Sequence, residues 1–159
     1  MPRINGDREK TGGDGVVFSV PDDSADGTTW AAFQEKPLVD TVKSALSILQ
    51  KKIAVMDGVN DFFVKLPNHR SFKDIVDDPR VWICHDPKGP ASAETVGTYI
   101  TLGREPLRWG VWAVAATLVH EMAHIGGATD EDGQAEKALL HAGLKEHYVK
   151  TNAVPKARR

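Results

Sequence analysis

The chain has 159 residues, 41% of them hydrophobic, and a formal charge of −2; this is enough for one domain with a real core and too short to expect two. The near-neutral balance leaves no basic footprint, which argues against nucleic acid or an anionic membrane as partner, and a single cysteine, Cys84, excludes an intramolecular disulfide. No stretch approaches 18 consecutive apolar residues and Met1 to Gly15 holds no leader-like apolar segment, so neither a membrane span nor a signal peptide is expected. The compartments left are the cytoplasm or export by a signal-independent system, and a domain of a longer polypeptide fits as well.

Residues 1–28 are rich in Gly, Asp and Ser around Val16-Val17-Phe18-Ser19-Val20, a pattern that predicts a flexible arm with one short strand. Pro37 is placed to open a helix in which Leu38, Val42, Ala45, Leu46, Leu49 and Ile53 recur at helical spacing before Asp57-Gly58. Ser71 and Asp74 predict a capped short helix that stops before Pro79. Val81 to Cys84 reads as a strand, with Cys84 as a buried structural thiol and Trp82, like Trp112 further on, as core. Residues 85–97 read as a turn-rich loop, and Tyr99-Ile100-Thr101-Leu102 as a second strand closed by Gly103. Its position just before the next helix predicts that it rims a cleft and offers a free edge to an extended peptide.

From Pro106 to Ile125 the pattern predicts one helix with an apolar stripe of Leu107, Val111, Val114, Leu118, Met122 and Ile125. The helix ends in His120-Glu121-Met122-Ala123-His124, an H-E-x-x-H motif. Residues four apart stand one above the other, so His120 and His124 project together and can close on one metal ion. Glu121 lies about 100° further round, where its carboxylate can take a proton from a metal-activated water without being a ligand. The two histidines fall roughly 140° from the apolar stripe, on a face shared with Ala113, Ala116 and Thr117, small enough to leave room for a cleft that Trp109 either walls or packs against. The bland alternative is a pair of hydrogen-bonded histidines on a polar helix face.

Gly126-Gly127 breaks the helix, and a last helix is expected from about Asp132 to Val149, followed by a basic tail at 153–159. A catalytic zinc has three protein ligands and an open position, so one more ligand is needed. Asp130 completes His120-Glu121-x-x-His124-x-x-Gly127-x-x-Asp130, with Gly127 allowing the turn that brings the aspartate back. Glu136, twelve residues after His124, competes from the next helix through a hairpin at the glycines. His141 and His85 are minor rivals. Helix capping would account for Asp130 without a metal, and a solvated helix face for Glu136. Tyr148 and His147 are weaker candidates for stabilising an oxyanion, while His69 and His85 read as loop histidines.

The run His120, Glu121, His124, Gly127, Asp130 resembles the short metzincin form of the zincin metallopeptidases, with aspartate in third place. No methionine follows Met122, so the methionine turn of that group is missing, and a gluzincin-like site with Glu136 is the other form. The run from His120 to Ala128 with Gln134 to Leu139 is also similar to the metallopeptidase-like domains of bacterial secreted toxins and effectors. The resemblance implies Zn2+, a peptide or protein substrate, and an inhibitor or immunity protein as partner. The order of elements itself predicts an α+β fold, with a small two- or three-stranded sheet over the active-site helix and two further long helices, in one domain spanning 29–152; the resemblance adds a compact zincin-like cleft between the sheet and the helices. The expected activity is zinc-dependent hydrolysis of a peptide bond with Glu121 as general base. A zinc amidase acting on a non-peptide amide, and a non-catalytic protein with a closed metal site, are the alternatives.

Overall fold

The computed structural model describes residues 1–7, 18–19, 29–87 and 93–149. The fold is α+β. Strands β1 (Arg3–Ile4), β4 (Trp82–His85), β5 (Ala93–Val96) and β6 (Tyr99–Leu102) make a four-stranded sheet in the order β1-β4-β6-β5, while β2 (Phe18–Ser19) and β3 (Thr29–Trp30) form a separate antiparallel pair. β4 runs parallel to both β1 and β6, in the register Ile4↔Ile83↔Ile100; β5 returns antiparallel to β6. Arg3 and Ile4, expected in a flexible arm, therefore belong to the sheet, because their backbone adds to the β4 ladder and buries Ile4. Val16, Val17 and Val20, and the tail at 153–159, lie outside the described residues.

Helix α1 (Lys36–Ile48) starts with Pro37 in its first turn and passes into a π-helical turn at Leu49–Ile53. It buries Val39, Val42, Ala45 and Leu46, the face its apolar spacing predicts. α2 (Asp57–Val64) follows, and α3 (Phe72–Val76) is capped as its sequence suggests, the Ser71 hydroxyl accepting from the Asp74 N–H at 3.1 Å. The helix expected from Pro106 to Ile125 is two helices, α4 (Arg104–Trp109) and α5 (Val111–Ile125). Gly110 separates them with φ +102°, a conformation that helical periodicity cannot reveal and that glycine adopts without a Cβ clash. α6 (Gln134–Ala142) stops at Gly143 in the left-handed region, short of the expected Val149, and a 3₁₀ turn covers Lys145–His147. Among the described residues, only one long helix, α1, therefore accompanies α5.

α5 is the axis of the molecule. It touches α1, α3, α4, α6, β5 and the final 3₁₀ turn, and Ala113 through Ala123 are all buried. The predicted stripe of Val114, Leu118 and Met122 does face the core. The opposite face of Ala113, Ala116 and Thr117 is buried as well, and Ala116 and Thr117 serve close packing rather than an open groove. The cavity that holds His120 and His124 lies at the helix's C-terminal end.

Two tryptophans correct the expected core. Trp112 is 41% exposed and stacks on His147 at 5.4 Å; Trp82 is half-buried beneath the Arg3 guanidinium, 4.2 Å above its ring. Cys84 is buried as expected, and burial pushes its thiol up to about 12, too high for a nucleophile.

Candidate metal centre

The end of α5 is shaped by the two glycines. Ala128 N–H donates to Ala123 O and Gly127 N–H to His124 O, both at 3.0 Å, which is a Schellman closure with Gly127 at φ +111°. A Cβ on Gly127 would stand 2.9 Å from Pro67 Cβ. Asn68 meets the same helix end, its side chain donating to Ile125 O at 2.7 Å and its backbone N–H to Gly126 O at 2.9 Å. The turn brings Ala128 O to 2.9 Å from His124 Nδ1. A carbonyl only accepts, so Nδ1 carries the proton and Nε2 keeps its lone pair for a ligand.

His120 and His124 lie with ring centroids 5.1 Å apart. Among the described residues, the ligand atoms of His120, Glu121 and His124 form a cluster within 4.8 Å of one another. Glu121 is buried, and its carboxylate is held from two sides: the Thr95 hydroxyl donates to Oε1 at 2.6 Å, and His120 Nδ1 lies 3.2 Å from Oε2. The two rival carboxylates are divided between the histidines. Glu136 Oε2 stands 2.9 Å from His120 Nε2, and Asp130 Oδ1 stands 3.6 Å from His124 Nε2. Glu136 is in the first turn of α6 with its side chain 39% exposed, whereas Asp130 precedes that helix and is 87% exposed. Burial pushes the His120 imidazole down, but the facing Glu121 and Glu136 carboxylates outweigh it and raise its pKa above the ordinary histidine value.

Tyr148 closes the other side. Its ring stacks on His120 at 4.6 Å and 16°. Burial, reinforced by the charges of Glu121, Glu136 and Asp130, holds its phenol well above the usual tyrosine range, so the hydroxyl remains a donor. His120, Glu121, His124, Asp130 and Tyr148 line one cavity of about 730 Å³. The remaining histidines go elsewhere: His85 is buried, stacked on Phe33 at 4.8 Å, and His141 stacks on Phe62 at 4.7 Å. His69 is exposed, its Nδ1 3.0 Å from Val64 O.

No family model, curated protein or solved structure matches this chain. The chemistry of the site therefore rests on its own geometry. The donor set suits a metal: among the described residues, His120, Glu121 and His124 each offer a ligand atom within 4.8 Å of the others, with a further carboxylate, Glu136 or Asp130, facing each histidine.

Thr95 and β5 were not foreseen, since 85–97 reads as a loop. The signal present was a two-residue Gly97-Thr98 connection, with Gly97 at φ +64° and Val96 paired to Tyr99, a hairpin mark obscured by the prolines before it. β5 also corrects the expected free edge. β6 lies between β4 and β5, and it is β5 that ends the sheet and lines the cavity with Ala93 and Thr95.

Proposed function

We propose that the chain is a zinc-dependent hydrolase of amide bonds, a peptide bond being the natural target, with a zincin-like division of labour. One observation carries this reading: a buried glutamate, fixed by Thr95, sits between two histidines at the wall of an open cavity. His120 and His124 would hold the metal with one carboxylate as third ligand, and the 2.9 Å contact and partial burial of Glu136 favour it over Asp130. Bound there, zinc would supply Lewis acidity, polarising a carbonyl and lowering the pKa of water toward about 7.

The protein's own groups do the rest. Glu121 accepts the proton of the attacking water at Oε2 and returns it to the leaving nitrogen. Thr95 keeps Oε1 occupied, so the carboxylate presents one oxygen in a fixed direction. Tyr148 donates from its hydroxyl to charge developing on the carbonyl oxygen. The outer edge of β5 suits an extended peptide, which would continue the sheet past Thr95.

A second reading has an observation of its own. Asp130 and Glu136 both stand near the histidines, so all four could saturate one ion in a closed structural site. Metal analysis after purification without chelator, followed by digestion of a peptide library, separates the two. Hydrolysis by the zinc-loaded chain that a Glu121→Gln variant loses, with zinc retained, supports the enzyme. A Glu121→Gln chain hydrolysing at the wild-type rate would overturn the assigned base, and bound zinc without hydrolysis of any peptide or non-peptide amide would point to the closed site.

A further inference from the structure

Beyond Tyr148 lies a second cavity of about 370 Å³, lined by Trp109, Ala113, Glu146, His147, Tyr148 and Val149. Tyr148 lines both cavities; one face of its ring covers His120, so the second space adjoins the metal centre directly. Its construction is particular. Gly110 breaks the helix after Trp109, and that indole is left 65% exposed. Trp112 stacks on His147, which anchors the 3₁₀ turn carrying Glu146 and leads into Tyr148. Small Ala113 forms part of the wall.

The formally charged residues that line this double cavity are carboxylates. Among the described residues, no Lys or Arg lines either cavity, whereas Asp130 and Glu131 line the first and Glu146 the second. Neither Glu131 nor Glu146 makes an ion pair among the described residues. An exposed indole face beside an unengaged carboxylate matches one side chain best. A guanidinium is planar, stacks on tryptophan and donates from its edge to a carboxylate.

We propose that the cavity between Trp109 and Tyr148 is a subsite for an arginine side chain of the peptide whose scissile bond lies at His120 and His124. The placement rests on the hydrolytic reading above; the arginine recognition rests on the cavity alone. Arginine would lie over Trp109 with its edge at Glu146, and the acidic rim of Asp130 and Glu131 would favour further basic residues nearby.

The test uses the full zinc-loaded chain and paired peptides differing only in arginine or citrulline, its neutral near-isostere, near the cleavage site. The expected result is a kcat/KM about tenfold higher for arginine, with the ratio falling toward one in Trp109→Ala and shrinking in Glu146→Gln, both substitutions at the surface. Equal rates on the two peptides, or a ratio unchanged in both variants, would overturn the subsite while leaving the hydrolase in place. If no peptide is cleaved, the peptidase form of the hydrolytic reading fails. The subsite is then decided by tryptophan fluorescence of the Glu121→Gln chain titrated with acetyl-Gly-Arg-Gly-amide. A saturable change absent with the citrulline peptide and in Trp109→Ala supports it, and no change overturns it.

Discussion

The Thr95 hydroxyl donates to Glu121 Oε1 at 2.6 Å, joining the edge strand of the sheet to the central helix at its most chemically loaded residue. The hydroxyl also lies 3.3 Å from the Glu121 backbone oxygen. Fixing one carboxylate oxygen orients the other, so in the proposed mechanism Thr95 is a positioning residue for the base. Thr95→Val keeps the shape and removes the donor; it should lower kcat about ten- to a hundredfold, the usual size of such supporting contacts, with KM little changed. Thr95→Ser should restore most of the activity, and zinc content should stay at the wild-type level in both.

Gly127 couples helix termination to the candidate metal centre. Its positive φ closes the Schellman turn that presents Ala128 O to His124, and a methyl group would meet Pro67 at 2.9 Å. Gly127→Ala should cost about 2 kcal/mol from left-handed strain and the clash, seen as a lower urea midpoint. It should also weaken zinc binding about tenfold by loosening His124, measured by competition with a chromophoric chelator.

The two carboxylates should separate in metal affinity. Glu136→Ala is expected to weaken zinc binding by at least about a hundredfold, and Asp130→Ala by less than about tenfold, because only the former removes a half-buried oxygen already at 2.9 Å from a histidine nitrogen. Chelation should lower the melting temperature, and zinc at a hundred times its Kd should stabilise by about 2.7 kcal/mol. Calorimetry with and without zinc measures both effects.

Acid stability should centre on Asp78. Its buried carboxylate receives the Arg80 side chain and backbone N–H and the Arg70 guanidinium, at 2.9 Å in the closest contact of each. Arg80, outweighing the burial, holds its pKa well below the usual carboxylate range. A depressed folded pKa contributes stability that is present above the unfolded value, about 3.9, and lost as pH falls toward the folded one. Asp78→Asn should therefore cost about 1–2 kcal/mol at pH 7, and the difference from wild type should shrink below about pH 4. Urea titrations at pH 7, 4 and 2.5 give the comparison.

Local signals were legible wherever a residue acts through its near neighbours in the chain. The Ser71 cap, the apolar face of α1, the strand Tyr99–Leu102 and the glycine stop after His124 all depend on spacing within a few residues. The break at Gly110 was hidden, because the apolar period continues through it and only the backbone angle departs. β5 was hidden for a different reason. Its partner strand and its contact with α5 lie in the fold, while its own neighbours in sequence read as turn formers.

The amino-acid order alone paired His120 with His124, set Glu121 between them, and offered Asp130 and Glu136 downstream as candidates for a third ligand. Those follow from the helical repeat and from chain order. It took the packed fold to bury Ala113 to Ala123 on every side, to bring Thr95 onto Glu121, to set Glu136 against His120 and Asp130 against His124, and to join Tyr148 and Trp109 in a second cavity. Each of these is a meeting of segments far apart in the chain, fixed by where the glycine turns send the helices and by which faces pack together. No periodicity along one segment carries that information.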